Sequence, residues 1–294
     1  MKLEPECIGC LFNQVLKAFE LLRPNISREI VIIAQKRLMK FLINFDINEN
    51  APPTLGKVTY NIIAELLEDE DPYHDLKIEY NSLVMKYSNE IMKIIEEAED
   101  PLFKAILASA LGNTIDFATQ HDIDIGTDLK NFSIEKLAIN DYKEFKKSLD
   151  NTHHLLIIGD NAGEIVFDKM LVMIIKKYYP NLEIFYSVRS APIINDATIE
   201  DAKFISLTDL VPVIESNPAP GIIISDASEV FREHFFKRKG VILSKGQGNF
   251  ESLYHMKIPE KDVYYLLKVK CNLMERIFGV KIGDLIFKKE SHEF

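Results

Sequence analysis

The sequence lacks the features of disulfide-rich secreted proteins and of membrane proteins. It contains three cysteines in 294 residues, an odd and low number that argues against a disulfide scaffold. No segment approaches the run of about 18 apolar residues that a membrane-spanning helix needs. The segment Met1 to Glu6 carries acidic residues and lacks the basic start and apolar core of a signal peptide. We therefore expect a cytoplasmic protein without a membrane partner.

The sequence also lacks an excess of positive charge and the common nucleotide-binding motifs. Its formal net charge is −10, which argues against binding to nucleic acids or to anionic membranes. A small phosphorylated ligand is still compatible with this charge, because a few local cations or one metal ion can reverse the field inside a cleft. The P-loop motif is absent, and no Gly-x-Gly-x-x-Gly follows the first predicted strand. These absences argue against a P-loop nucleotide site and against a dinucleotide site.

Two kinds of hydrophobic pattern divide the chain near residue 150. Residues 1–150 place apolar side chains at intervals of three and four, which predicts helices. From about His153, short apolar runs alternate with helical patterns, which predicts βαβ units. We therefore predict an α/β protein with an all-helical domain or cap over residues 1–150. A Rossmann-like three-layer α/β/α domain with a mostly parallel sheet is predicted over residues 151–294.

The individual elements of this fold can be placed on the sequence. The predicted strands are Leu155–Ile158, Ile184–Val188, Ile222–Ile224, Val241–Leu243 and Tyr264–Val269, with Val280–Phe287 as a further candidate. The helical patterns between them are Glu164–Tyr178, Asp196–Lys203, Glu229–Lys237, Phe250–Met256 and Cys271–Phe278. In the first half, the predicted helices end or begin near Pro24, Ser27, Pro52, Pro72 and Pro101, and the last one runs to Phe117.

Polar side chains follow the first predicted strand at its carboxyl end. Gly159 ends the apolar run, and Asp160 and Asn161 come directly after it. Open α/β sheets bind ligands just outside the carboxyl ends of their strands. The pair therefore predicts ligand binding, although an Asp-Asn pair at this point is also typical of a simple helix N-cap.

A second set of polar residues follows the second predicted strand. Arg189 comes directly after this strand, and Asp196 lies at the next loop-to-helix junction. Because neighbouring parallel strands lie about 4.8 Å apart, Asp160, Asn161 and Asp196 can converge on one ion. Two carboxylates and an amide suit a divalent cation such as Mg²⁺ or Mn²⁺, and Arg189 suits a phosphate. The alternatives are a second helix cap at Asp196 and a surface ion pair at Arg189.

A third turn follows the predicted strand Val241–Leu243. It places Lys245 at the strand end and provides two glycines, Gly246 and Gly248, at which a backbone can approach a ligand closely. The position of Lys245 predicts contact with a phosphate. The alternative is a tight βα turn with a lysine on its rim. Three strand ends that all carry such turns favour a binding site.

These three turns together resemble the DUF89 family, the metal-dependent damage-control phosphatases that are also called ARMT1-like. The resemblance is carried by Asp-Asn-Ala-Gly-Glu at 160–164, Pro-Ile-Ile-Asn-Asp-Ala-Thr at 192–198 and Lys-Gly-Gln-Gly-Asn-Phe-Glu at 245–251. Cys7-Ile8-Gly9-Cys10 resembles the opening of the branch common in archaea. Gly112–Phe117 and Lys268-Val269-Lys270-Cys271 are similar to further family segments. The resemblance therefore spans nearly the whole chain.

The resemblance implies the activity, the cofactor and the site residues. It implies hydrolysis of phosphomonoesters of small metabolites, including damaged ones, with one divalent metal ion: Mn²⁺, Ni²⁺, Co²⁺ or Mg²⁺. The ligands implied for the ion are Asp160, Asn161 and Asp196. We predict Asp160, Asp196 and Lys245 as catalytic residues. Contacts with the phosphorylated substrate are predicted for Arg189, Asn195, Lys245, Asn249 and Glu164.

Several alternatives stay open at this point. The attacking group is either one of the two aspartates, which would form an acyl phosphate, or a water molecule. An S-adenosylmethionine-dependent carboxyl methyltransferase is the alternative enzyme, and a phosphometabolite-binding protein without activity is the alternative outside enzymes. The three cysteines serve packing, redox chemistry or a zinc site. The oligomeric state is open.

Overall fold

The first part of the chain is helical, as predicted. The computed structural model describes residues 1–112 and 137–290. Its first elements are α1 (Pro5–Leu22), α2 (Arg28–Leu42), α3 (Pro52–Leu67), α4 (His74–Glu96) and α5 (Pro101–Gly112). The Ser27 hydroxyl accepts a hydrogen bond from the backbone N–H of Ile30 at 3.4 Å, so the predicted cap is confirmed. The predicted continuation of α5 to Phe117 and the family segment at residues 113–117 lie outside the described residues.

The second part of the chain alternates between strands and helices. Its elements are β1 (Ile139–Asn140), α6 (Tyr142–Asp150), β2 (His154–Ile158), α7 (Glu164–Tyr178), β3 (Glu183–Val188), α8 (Ile199–Phe204), β4 (Val213–Glu215), α9 (Glu229–Arg232), β5 (Gly240–Lys245), α10 (Gln247–Leu253), β6 (Lys261–Lys268), α11 (Asn272–Phe278) and β7 (Leu285–Lys289). Across the described ranges, none of the helices combines the length and the apolar composition needed to cross a bilayer.

The seven strands of the described ranges form one sheet in the order β1-β7-β6-β5-β2-β3-β4. Neighbouring strands are parallel except for β6 and β7, so the predicted mostly parallel sheet is confirmed. The strand β2 lies between β5 and β3, with Ile157 opposite Leu243 on one side and Tyr186 on the other. The carboxyl ends of these three strands therefore meet at one edge of the sheet.

One predicted strand is wrong, and a different segment takes its place. Residues 222–224 do not form a strand. The outermost strand next to β3 is instead β4, which was not predicted. The backbone N–H of Ile222 donates to Ser252 Oγ at 2.8 Å, and that of Ile223 donates to Asn217 Oδ1 at 3.3 Å. Side chains thus use the backbone groups that a strand would offer to a neighbour.

Apolar side chains pack on both faces of the sheet and form a further core among the first helices. Leu155 and Ile157 face a cluster that includes residues of α4, α5 and α7, whereas Leu156 and Ile158 face the helices that follow β4. The helices α1, α2 and α3 share a separate apolar cluster. The strand β1 begins at Ile139 and already belongs to the sheet. The division of the chain into domains at residue 150 stays a prediction.

A buried histidine pair lies at the amino end of β2, on the side of the sheet opposite to the polar turns. His154 Nε2 and His234 Nδ1 are 3.0 Å apart, and Phe185 packs against His234. Lys261 donates from Nζ to the backbone oxygen of His234 at 2.8 Å. Burial, together with the nearby charge of Lys261, lowers the pKa of His154 to about 3 and also lowers the pKa of His234. Both rings are therefore neutral in the folded protein near neutral pH.

We expect this pair to make stability fall as the pH drops from 7 to 5. Histidines of the unfolded chain take up protons near pH 6.5, whereas the lowered pKa values of the folded pair shift its proton uptake to lower pH. The unfolded state thus binds more protons, and acidification stabilises it relative to the folded state. Urea unfolding should show a decrease in the free energy of unfolding that is larger, by an amount on the order of 1 kcal/mol, than in the His154→Phe/His234→Phe variant. Equal pH dependence of the two proteins would contradict the assignment.

Candidate metal and phosphate site

The turn after β2 continues the sheet for one residue and then bends towards α7. The backbone N–H of Gly159 donates to the backbone oxygen of Ser187 at 2.9 Å. A Cβ atom at position 159 would overlap with the hydroxyl of Tyr186, which passes over this residue. A glycine is therefore required here, and Asp160 follows it directly at the edge of the sheet.

The segment around Asp196 is fixed to this turn by backbone hydrogen bonds. The N–H of Ala162 donates to the oxygen of Asn195, and the N–H of Ala197 donates to the oxygen of Asp160, both at 2.8 Å. The N–H of Arg189 donates to the oxygen of Ala197 at 2.9 Å. The segment thus lies between the ends of β2 and β3, and Asp196 is paired with Asn161.

The side chains of this region form a connected polar network. Arg189 donates from Nε to Asp196 Oδ2 at 2.6 Å, and its Nη2 lies 3.7 Å from Asp160 Oδ1. Asn161 donates from Nδ2 to Asp160 Oδ2 at 2.9 Å and to Glu164 Oε1 at 2.8 Å. Except for Asn161, which is half-buried, these side chains are buried. The structure therefore brings the three predicted metal ligands together.

The donors of this network fit a divalent cation. Asn161 uses its amide nitrogen for two carboxylates, so its amide oxygen is left as the donor for a cation. Burial, together with the negative charge of Asp160, raises the pKa of Glu164 to about 7. Burial also raises the pKa of Asp196 to about 7, although Arg189 opposes this rise. Crowded carboxylates of this kind are typical ligands of hard divalent ions.

The fit depends on the amide as well as on the carboxylates. Within residues 1–112 and 137–290, no three His, Cys, Asp or Glu side chains are arranged to hold a metal ion. The candidate set is therefore two carboxylates, Asp160 and Asp196, and the amide of Asn161. Such a set leaves several coordination positions of an octahedral ion for water or substrate.

The turn after β5 packs against the carboxylate of Asp160. Gly246 has a φ of +77°, a backbone conformation that favours glycine. A Cβ atom at this position would overlap with the carboxylate of Asp160. The carboxylate therefore lies directly on the backbone of this turn.

The two cations that were predicted to bind phosphate are buried against carboxylates. Lys245 is fully buried, and its Nζ donates to Asp168 Oδ1 at 2.7 Å and to the backbone oxygen of Ser109 at 3.2 Å. It lies 3.8 Å from Glu164 Oε2. Burial alone would lower the pKa of Lys245, but Asp168 and Glu164 outweigh this effect, so the pKa is raised. Lys245 and Arg189 therefore place permanent positive charge behind the carboxylates.

Asn249 connects the turns after β2 and β5. Its Nδ2 donates to the backbone oxygen of Gly159 at 2.9 Å and to that of Lys245 at 2.7 Å. The side chain is fully buried, and its Oδ1 has no hydrogen-bond partner among residues 1–112 and 137–290. The structure thus places Asn249 behind the turns, where it holds them together.

A cavity of about 990 Å³ opens above this edge of the sheet. Asp160, Asn161, Glu164, Asn195 and Asp196 line one wall. Residues of α1 and α3 also line the cavity, among them Cys7, Cys10, Gln14 and Tyr60. The first helices and the candidate metal ligands therefore border one space that is large enough for a small metabolite.

Four charged residues that line the cavity were not assigned a role from the sequence: Glu6, Glu251, Lys268 and Lys270. Lys270 is exposed, follows β6 and lines the cavity. Its charge partly offsets the rise in the pKa of Glu164 and Asp196 that burial causes. Burial raises the pKa of Glu251, which also lines the cavity, to about 7. Glu251, Lys268 and Lys270 lie in segments that carry the family resemblance, but no site role was predicted for them.

All three cysteines of the chain line the same cavity as free thiols. Gln14 contacts the sulfur of Cys10 through its amide nitrogen, and Gln247 contacts that of Cys271, both at 3.6 Å. Burial raises the pKa of Cys7 and of Cys10. Packing, redox chemistry and metal binding stay open as roles of these thiols.

Comparisons with known proteins agree with this fold along nearly the whole chain. A sequence profile of the damage-control phosphatase ARMT1-like domain matches residues 3–286. The chain is 33% identical to an uncharacterized protein of Methanocaldococcus jannaschii, over 98% of this chain and 96% of the relative. It is 32% identical to a damage-control phosphatase of Pyrococcus horikoshii, over 97% of both chains.

A solved structure extends the likeness to three dimensions. The crystal structure of a DUF89 family protein from Pyrococcus horikoshii superposes on this chain with a TM-score of 0.88 and 30% sequence identity. The superposition covers 99% of this chain and 100% of the other. The predicted fold class is confirmed.

We expect Gly246→Ala to damage the site beyond its effect on the backbone. Gly279→Ala is the matched control, because Gly279 also has a positive φ, at +67°, and a Cβ atom there would meet nothing within 4 Å. Both variants should lose about 1 to 3 kcal/mol of stability from backbone strain. Only Gly246→Ala should also lower the affinity for Mn²⁺, by about tenfold or more, because it displaces Asp160. Equal Mn²⁺ affinities in a calorimetric titration of both variants would contradict this role.

Proposed function

The chain belongs to the damage-control phosphatase ARMT1-like family, and from this premise we propose that it hydrolyses phosphomonoesters of small metabolites with a divalent metal ion as cofactor. The observation that carries the proposal is the convergence of Asp160, Asn161 and Asp196 at the sheet edge that faces the cavity. A phosphorylated metabolite of the size of a sugar phosphate fits the volume of this cavity.

In the proposed mechanism, Asp160, Asn161 and Asp196 hold the metal ion. A bound divalent cation polarises the phosphoryl oxygens and offsets the charge of the phosphate dianion. Mn²⁺ and Mg²⁺ suit the oxygen donors best, and Co²⁺ and Ni²⁺ are the further candidates. Arg189 keeps both aspartates in place through its contacts with Asp196 and Asp160.

The positive charges divide into a buried group and an exposed one. Arg189 and Lys245 lie behind the carboxylates and keep the site from becoming too negative for a phosphate to approach. Lys270 is exposed on the cavity wall and binds the phosphate directly. Asn195, on the same wall, is placed to contact the substrate. Asp160 or Asp196 attacks the phosphorus while the P–O bond to the alcohol breaks, and water then hydrolyses the acyl phosphate; alternatively, a water molecule attacks the phosphorus and displaces the alcohol directly.

The helices of the first part of the chain select the substrate in this proposal. Residues of α1 and α3 line the same cavity as the metal ligands, so they contact the part of the substrate that leaves. Polar side chains of these helices, such as Gln14 and Tyr60, suit hydroxyl groups of a sugar or polyol phosphate. Damaged forms of such phosphometabolites carry the same phosphomonoester group and are therefore included among the proposed substrates.

Hydrolysis of a generic aryl phosphate tests the proposal. Protein stripped of metal with a chelator should be inactive, and Mn²⁺, Co²⁺, Ni²⁺ or Mg²⁺ should restore turnover. Asp160→Ala should lower kcat at least a hundredfold in a folded protein, because it removes a metal ligand. Asp226→Ala, which breaks a half-exposed ion pair with Lys57, is the control and should keep full activity.

Two results would contradict the phosphatase assignment. Full activity of Asp160→Ala would remove this residue from the site. A folded wild-type protein that turns over no phosphomonoester with any metal ion would favour a binding protein, and S-adenosylmethionine binding would then favour the methyltransferase.

We expect Lys270→Gln to weaken phosphate binding. One lost charge-assisted contact should raise the KM for a phosphomonoester, and the inhibition constant of inorganic phosphate, about tenfold. The kcat should change less, because Arg189 and Lys245 keep their charges. Lys281→Gln, at an exposed lysine outside the cavity wall, serves as the control. An unchanged KM in Lys270→Gln would show that the phosphate binds elsewhere.

A further inference from the structure

We propose that Asp168 is a positioning residue that orients the metal ligand Asn161 through Lys245 and Glu164. The hydrogen-bond donors of Asp168 are Ser109, Lys245 and Tyr186, none of which is a candidate metal ligand. The inference rests on the proposed metal site. It explains why a fully buried carboxylate lies eight residues after Asp160 in the chain.

Asp168 is held by donors from three different elements. Its Oδ1 accepts hydrogen bonds from the hydroxyl of Ser109 on α5 at 2.5 Å and from Nζ of Lys245 on β5 at 2.7 Å. Its Oδ2 accepts one from the hydroxyl of Tyr186 on β3 at 2.7 Å. The side chain has no exposed surface. Its position is therefore fixed by packing and by three directed contacts.

Lys245 lies between two carboxylates, and Asp168 holds it on one side. Its Nζ is 2.7 Å from Asp168 Oδ1 but 3.8 Å from Glu164 Oε2. The backbone oxygen of Ser109 accepts a further hydrogen bond from the same ammonium at 3.2 Å. Asp168 thus keeps the ammonium beyond close hydrogen-bond distance from Glu164.

Glu164 in turn orients the amide of Asn161. Its Oε1 accepts a hydrogen bond from Asn161 Nδ2 at 2.8 Å, and Asp160 Oδ2 accepts a second one from the same nitrogen at 2.9 Å. Because both carboxylates hold the nitrogen, the orientation of the planar amide is fixed, and with it the direction in which its oxygen points. Groups that orient a metal ligand in this way commonly change metal affinity by about 10–100-fold.

Removal of the charge of Asp168 redirects Lys245. The ammonium is fully buried, so it needs a new anionic partner, and the Glu164 carboxylate is already 3.8 Å away. A close Lys245–Glu164 pair draws Glu164 away from Asn161. The amide then loses one of the two partners that fix its direction.

Calorimetric titration with Mn²⁺ alone tests this chain of contacts. Asp168→Asn should bind Mn²⁺ about tenfold more weakly than the wild type. The matched control is Asp71→Asn, which breaks a different ion pair of 2.7 Å with a buried lysine, Lys77. This control should stay within about twofold of the wild type. Unchanged affinity in Asp168→Asn, or an equal loss in Asp71→Asn, would overturn the inference.

The double variant Asp168→Asn/Lys245→Met separates positioning from packing. It removes the ammonium that would capture Glu164, so the contact between Glu164 and Asn161 should return. We expect Mn²⁺ affinity within about threefold of the wild type, hence tighter than in Asp168→Asn alone. A further loss of affinity would show that Asp168 acts through packing and would overturn the inference.

If Asp168→Asn shows no cooperative unfolding, Ser109→Ala/Tyr186→Phe takes its place, because it keeps both charges and loosens Asp168. Its Mn²⁺ affinity should fall by about threefold or more, and unchanged affinity would overturn the inference. A wild-type protein that binds no Mn²⁺ would overturn the proposed metal site and this inference together, whereas normal wild-type binding with unchanged variants overturns the inference alone.

Discussion

The burial of opposite charges at the carboxyl edge of the sheet is the constraint on which this structure depends. Four carboxylates and two cations lie there almost without solvent: Asp160, Glu164, Asp168, Asp196, Arg189 and Lys245. Buried charges are stable only with partners, and removal of one partner leaves the other uncompensated. The carboxylates outnumber the cations. A further cation bound at the edge that faces the cavity would therefore balance the excess negative charge. Binding of a metal ion is the function that we propose for this group of side chains.

The rest of the fold keeps this set together. Parallel pairing of β2 with β3 and β5 aligns the three strand ends, and backbone hydrogen bonds fix the segment around Asp196 to the turn after β2. The helix α5 contributes Ser109 to the charge network from behind, whereas α1 and α3 line the cavity. The helical part thus serves the site twice, as a support for its charges and as the surface that faces the substrate.

The sequence allowed the convergence of Asp160, Asn161 and Asp196 to be predicted, but not the direction of the cations. Asp160, Asn161 and Asp196 could be placed because strand ends in a parallel sheet share one edge. The position of Lys245 in the chain is equally clear, yet its side chain points inward because a buried partner, Asp168, lies on a helix of another layer. Lys268 and Lys270 line the cavity, and of these two Lys270 is the exposed one. Tertiary packing decides that Lys270, and not Lys245, is exposed at the cavity, and strand and turn patterns do not encode this packing. The same limit explains residues 222–224, whose apolar run bonds to side chains instead of a strand.

Anomalous diffraction from crystals soaked with Mn²⁺ tests the central claim most directly. The account predicts one strong anomalous peak with Asp160, Asn161 and Asp196 as its protein ligands, at oxygen distances of about 2.0–2.5 Å. The same crystals soaked with inorganic phosphate as well should place the anion between the ion and Lys270. An ion bound elsewhere, for example at the cysteines, or crystals that take up no ion at this edge of the sheet, would contradict the account.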